Sequence, residues 1–278
     1  MAENPEVGEI GKISRGHRLQ NWLTPTAPGL LTNPAAKCVA LIVVTTVVFL
    51  IFPGLDVWFS GLFYEPGNGF PMTRLGAFIG FRAIGNGLTW LIAVGVVITL
   101  LVKLALPWRP SLVPPRDVLF ILSTLALGPG LIVNLVLKDH WGRPRPWRVD
   151  LFGGDQPFVG VWRITDYCTS NCSFVSGEAS SAIWLLTTLV LVPAHWRSSM
   201  TRILLVLIAL LSLDRIGMGG HFLSDVFLAW WITLAVMAVA YRILYLDPPP
   251  ALAPDRLEDA MTRAGNAIRS LVVRSPAA

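Results

Sequence analysis

Apolar residues in this chain come in long blocks rather than in alternation. Such blocks occupy 38–55, 88–106, 118–137, 179–193 and 226–246, separated by polar or Gly- and Pro-rich stretches. A membrane-crossing helix needs roughly 20 mostly apolar residues, with about 17 as the lower limit. Each block therefore predicts a spanning helix, the fourth when slightly extended. A sixth block, 203–213, ends where Asp214 and Arg215 interrupt it. Its length alone fits a buried core helix. We read it as a span whose outer end carries polar working residues, because charges inside a membrane are costly and mark function. The predicted fold is all-α: a polytopic bundle of six transmembrane helices over 37–246, between tails at 1–36 and 247–278.

Composition supports the membrane class. Of 278 residues, 54% are hydrophobic and 14% charged, with a mean hydropathy of +0.61. Soluble domains carry about 25% charged residues. The figures exclude a disordered chain, a disulfide scaffold and a nucleic-acid-binding module. The net charge of +5 divides along the chain. Fourteen of the 22 basic residues, from Lys12 and Lys37 through Lys103, Arg116, Arg197 and Arg202 to Arg274, fall in the tails or in loops two and four. The positive-inside rule then places both termini in the cytoplasm and loops one, three and five outside. A cleavable signal peptide would hold its apolar core nearer Met1, so the first tail is expected to be retained. Trp108 and Trp196 fall at interface depths. Past Pro248, Leu257, Met261, Ala264, Ile268, Leu271 and Val272 share a helical stripe with Arg256, Arg263 and Arg269 elsewhere, the pattern of a membrane-surface helix. A frayed solvated tail is the other reading. Cys168 and Cys172 could bridge if their loop faces an oxidising compartment.

Three polar clusters lie at the outer helix ends: 138–146, 173–180 and 214–225. Arginine suits bidentate recognition of an oxyanion, and lysine adds a point charge. Lys138, Arg145 and Arg215 could converge on a phosphate-sized dianion, although any one of them could simply snorkel to the interface. Ser176 and Gly177 open a helix, where free N–H groups and the helix dipole favour an anion. His221 and Asp225 are four apart, so on a helix they share a face. The carboxylate would then hold one imidazole nitrogen and leave the other as nucleophile. Glu178 is the candidate proton donor, with its acid form favoured beside a bound dianion. His140, Glu178, His221 and Asp225 lack metal-ligand spacing and sit among cations, so no metal is expected.

These residues resemble the type 2 phosphatidic acid phosphatase superfamily, the membrane lipid phosphatases and their haloperoxidase relatives. The family carries K-x6-R-P, P-S-G-H and S-R-x5-H-x3-D. Lys138 to Pro146 matches the first motif, and Arg215, His221 and Asp225 match the third at its spacing. The resemblance covers most of 37–246. It implies a helical bundle, catalysis without a metal or other cofactor, and a phosphohistidine formed on His221 and oriented by Asp225. Lys138, Arg145, Ser176, Gly177 and Arg215 would bind the phosphate. Two positions depart from the pattern: Glu178 replaces the family's general-acid histidine, and Asp214 replaces the serine before Arg215. Glu178 keeps a proton-transfer group in place, which implies a working variant.

The C-S-F-V-S-G-E form is similar to a bacterial subgroup that includes lipid A phosphatases. The expected activity is removal of a phosphate monoester from lipid A or a related membrane lipid phosphate, at the periplasmic face of the bacterial inner membrane. Undecaprenyl diphosphate and phosphatidylglycerol phosphate are alternative substrates. Phosphotransfer to another lipid is an alternative outcome, and a lipid-binding scaffold is a non-enzymatic one. The expected partners are the lipid substrate and the bilayer, with no nucleic acid and no obligate protein.

Overall fold

The computed structural model describes residues 33–273. The tail expected at 1–36 lies almost wholly outside them, as do Lys12, Arg15, Arg18 and Arg274. Among the described residues, eight helices of eight or more residues make up the fold: α1 Pro34–Ile51, α2 Gly54–Gly61, α3 Gly76–Ala105, α4 Pro115–Lys138, α5 Gly177–Leu191, α6 Ala194–Gly217, α7 Leu223–Leu246 and α8 Pro254–Val273. Among the described residues no strand forms; two isolated bridges, Glu65 with Gly69 and Val149 with Gln156, are the whole of the β-type pairing. The all-α class stands. Four helices, α1, α3, α4 and α7, are long and apolar enough to cross a membrane. α5 is apolar but short, and α6 reaches 24 residues with Arg197, Arg202, Asp214 and Arg215 at its ends.

Local chemistry explains the boundaries. α1 starts where the Asn33 side chain accepts the Ala35 N–H at 3.0 Å, with Pro34 in the first turn. α3 begins twelve residues before the apolar block at 88–106, because Gly76 to Gly87 dilute the hydropathy without breaking the helix. Gly85 serves packing: a side chain there would collide with Leu211 of α6. α4 contains Pro129, which has no N–H to donate. From Ala126 onward its turns widen to an i→i+5 pattern, and the Asn134 amide donates to the Pro129 carbonyl at 2.7 Å. α5 is capped by Ser176, whose Oγ accepts the Ala179 N–H at 3.2 Å.

α7 is the central element, packed against α1, α2, α4 and α5. Its seam with α4 and α5 buries Val133, Leu137, Val175, Ala179, Val226 and Ala229. Where apolar surface meets apolar surroundings, polar side chains help hold helices together, at about 0.6 kcal/mol per hydrogen bond. Trp231 Nε1 donates to Thr45 Oγ1 at 3.1 Å across α7 and α1, and the hydroxyls of Ser180 and Thr233 meet at 2.7 Å across α5 and α7. α8 lies against α3 and α4. Lys103 Nζ pairs with Glu258 at 2.6 Å, Gly265 sits on the Leu104 backbone, and Arg269 stacks over Trp108 at 4.4 Å. Residues 254–273 thus form a helix docked on α3 and α4, with Ile268 and Leu271 exposed.

Candidate active site

The ends of α4, α5, α6 and α7 meet beneath the connection 139–176. Two short turns, Pro146–Arg148 and Asp150–Phe152, and a Cys168–Cys172 disulfide shape that connection. The bridge expected as one possibility is formed.

His221 lies two residues before α7 and is 1% exposed. Its Nδ1 meets the Ser173 carbonyl at 2.7 Å. A carbonyl can only accept, so Nδ1 carries the proton and Nε2 keeps its lone pair. Burial most, then the charges of Arg215, Arg145 and Lys138, hold the imidazole well below its ordinary pKa; the Ser173 hydrogen bond opposes them. The ring is therefore neutral, with a free nucleophilic nitrogen.

Asp225 does not contact His221 directly. The shared-face argument fails because His221 precedes the helix, so the four-residue spacing is not helical spacing. Asp225 instead accepts from Ser173 Oγ at 2.6 Å, from the Phe222 N–H at 3.0 Å and from Arg143 Nη1 at 2.5 Å. Its hold on the imidazole runs through Ser173, whose hydroxyl it binds and whose carbonyl binds the ring. Arg143 completes a dry network. Its guanidinium, 0% exposed, also donates to Asp56 at 2.8 Å, to Ser224 Oγ at 2.9 Å and to the Val159 carbonyl at 2.8 Å. Burial opposes its charge, but Asp225 and Asp56 outweigh burial and keep its pKa above the ordinary value. Asp56 in turn receives the Ser224 N–H at 2.8 Å and hydroxyl at 2.6 Å.

The remaining cations gather at a cavity of about 510 Å³, lined by Arg82, Arg145, Arg215, Trp147, Phe70 and Gly220 among others. Arg145 is steered by Asn171, whose carbonyl accepts at 2.8 Å and 3.0 Å and whose Oδ1 accepts at 2.7 Å. Burial most, together with Arg82 and Arg148, pulls Arg145 below its ordinary pKa against the attraction of Glu178 and Asp225. Lys138 ends α4 beside Gly177: a side chain on Gly177 would stand 3.3 Å from its Nζ, and would also collide with Asn134. Glycine lets both groups reach the first turn of α5, whose N–H groups have no intrahelical partner.

Glu178 bridges two arginines. Arg82 donates to Oε1 at 2.7 Å and 3.0 Å and to Oε2 at 3.1 Å, and Arg215 Nε lies 2.8 Å from the same Oε2. The Arg215 contact is an ion pair rather than an aligned hydrogen bond, since Nε has no well-directed partner. Asp214 is buried with neither oxygen hydrogen-bonded, so it does not orient Arg215 through such a bond. Among the described residues, no three His, Cys, Asp or Glu side chains converge as a metal-ligand group.

The structure thus brings together His221, Glu178, Lys138, Arg145, Ser176, Gly177 and Arg215, and sets Asp225 one residue removed from the ring. Sequence reasoning passed over Arg82, Arg143, Asp56 and the carbonyl of Ser173. The signals available were slight: a lone charge in a Gly-rich apolar stretch, a doubled Arg-Pro, and the first acid after α1.

The PAP2 superfamily profile matches residues 117–247, which include every one of the expected site residues. Curated relatives align over much of the chain. A lipid A 4'-phosphatase of Rhizobium leguminosarum is 39% identical over 205 residues, 69% of this chain and 88% of that protein. Lipid A 4'-phosphatases of Rhizobium etli and Francisella tularensis subsp. novicida are 38% and 35% identical, over 69% of this chain and 79% and 90% of theirs. No solved structure is significantly similar. On this identity and coverage the chain belongs to the PAP2 superfamily, as a phosphoric monoester hydrolase that resembles the lipid A phosphatases.

Proposed function

We propose that the chain hydrolyses a phosphate monoester of lipid A or a closely related membrane lipid, through a phosphohistidine on His221. The observation that carries this is the His221–Ser173 contact at 2.7 Å, which fixes the tautomer with Nε2 as nucleophile. Nε2 attacks phosphorus as the bond to the lipid oxygen breaks, and that oxygen takes a proton from Glu178. Water then attacks the phosphohistidine, the Glu178 carboxylate takes its proton, and inorganic phosphate leaves. Lys138, Arg145, Arg215 and the first-turn N–H groups of α5 from Gly177 onward stabilise the charge on the non-bridging oxygens, while the Ser176 N–H donates to the Asp225 carbonyl at 3.2 Å and so holds that turn in place beside α7. Asp225 positions the ring through Ser173.

The preference for lipid A rests on the names of the relatives. The setting we infer is the bacterial inner membrane, with α5 and α6 also crossing, both termini cytoplasmic and the site facing the periplasm. The basic residues at Lys37, Lys103, Arg109, Arg116, Arg197 and Arg202 support that orientation. Purified full-length protein in detergent, given lipid A, phosphatidylglycerol phosphate and undecaprenyl diphosphate in parallel, should release phosphate fastest from lipid A. Faster release from either other lipid would overturn the substrate assignment. Label passing to an acceptor lipid instead of water would make the protein a phosphotransferase.

A further inference from the structure

The Glu178 carboxylate occupies a place that suits a phosphate. It lies between Arg82 and Arg215, two of the three arginines lining the cavity. Arg82 comes from the second turn of α3, 96 residues before Glu178 and outside all three motifs. Its side chain is 43% exposed, so a ligand in the cavity can reach it, whereas Arg215 is 5% exposed. Arg82, Arg215 and Lys138 act on the Glu178 carboxylate, and Arg145 is near enough to be drawn by its charge. This gathering of cations suits a phosphate monoester dianion.

We propose that Arg82 is a third phosphate-binding arginine, and that Glu178 is the internal anion that fills its fork until substrate arrives. On entry, the substrate phosphate takes over the Arg82 and Arg215 donors. Glu178 is released from both guanidiniums and now faces a dianion. Like charge then favours its protonated form, the form that a proton donor requires. The arginine that binds the substrate thus also controls when Glu178 becomes an acid. This explains how a glutamate can stand where relatives of the general pattern have histidine: Arg82 would repel an imidazolium but pairs with a carboxylate. The proposal rests on the hydrolase reading above and adds a residue to it.

The test is titration of inorganic phosphate into full-length protein in detergent, followed by calorimetry, for the wild type, Arg82→Ala, Arg82→Lys, Glu178→Gln and the Arg82→Ala/Glu178→Gln pair. Loss of one charge-assisted fork should weaken phosphate binding in Arg82→Ala on the order of tenfold to a hundredfold. Arg82→Lys should fall between, because it keeps the charge and loses the fork. Glu178→Gln should bind phosphate several-fold tighter than the wild type, while turning over lipid more slowly. In the pair, Arg82→Ala should still weaken binding relative to Glu178→Gln alone. If Arg82 only anchors Glu178, then Arg82→Ala leaves phosphate affinity unchanged or higher, and has no effect in the Glu178→Gln background. Either result overturns the proposal. Release of phosphate from lipid A by the wild type, lost in His221→Ala, upholds the hydrolase reading whatever Arg82 does. A wild type that neither hydrolyses the lipid nor binds phosphate overturns both.

Discussion

Arg143 places its guanidinium in a dry set of partners, Asp56, Asp225, Ser224 and the Val159 carbonyl, while Arg82, Arg145 and Arg215 line a cavity of about 510 Å³. The first network is complete, and each of its charges is shared between fixed neighbours. The second holds an aligned Arg82–Glu178 contact next to an Arg215–Glu178 pair without a directed hydrogen bond. A satisfied buried network fixes geometry, whereas groups left short of partners are ready for a ligand. The division of labour we propose follows: Arg143 holds Ser173 and Asp225 so that the His221 ring cannot turn, and the cavity arginines meet the anion.

The two clusters should fail differently. Arg143→Ala removes one partner of a fully buried ion pair, and such losses cost about 3–5 kcal/mol. We expect most of the folded protein to be lost, seen as a collapsed yield and a lowered unfolding temperature in detergent, with no rescue by Arg143→Lys. Arg215→Ala should instead keep the fold and lose about 10²–10³ in kcat, the usual cost of one donor to a developing oxyanion. If Arg215→Ala unfolded the protein and Arg143→Ala merely slowed it, the contrast between the clusters would be reversed. Cys168→Ser should cost about 2 kcal/mol, as expected for a short closed loop. It should also raise KM, because Asn171 inside that loop holds Arg145.

The smallest effect concerns protonation. Burial and the charges of Arg215, Arg145 and Lys138 lower the His221 pKa, so the ring should stay neutral as pH falls through the ordinary value of about 6.5. In histidine-labelled protein, the NMR signal missing from His221→Ala should not titrate between pH 7.5 and 5.5. Unfolded chains would take up that proton in the same range, so this group makes stability fall with falling pH. A signal titrating near 6.5 would show that the ring is less buried and less crowded by cations than the structure has it.

Much of the site could be read from residues alone, since Lys138, Arg145, Arg215 and His221 are rare ionisable residues at or just beyond the ends of apolar blocks. Their gathering follows once the blocks are helices in one bundle. Three things could not be read. Arg82 comes from a helix whose first turns are too rich in glycine to look like part of a span, and only the close approach of Leu211 to Gly85 shows why glycine is there. The Asp225 partner is not legible from a four-residue spacing, because α7 starts only at Leu223 and His221 lies outside it. α6 looked short because its charges interrupt the apolar run at Asp214, although the helix continues to Gly217.

The central claim is that phosphate passes through His221. Rapid quenching of full-length protein with radiolabelled lipid A phosphate, followed by peptide mapping, tests it most directly. We expect an acid-labile, base-stable label on the peptide containing His221, absent from His221→Ala, which should also release no phosphate. Label on a carboxylate instead, or undiminished phosphate release by His221→Ala, would contradict the mechanism.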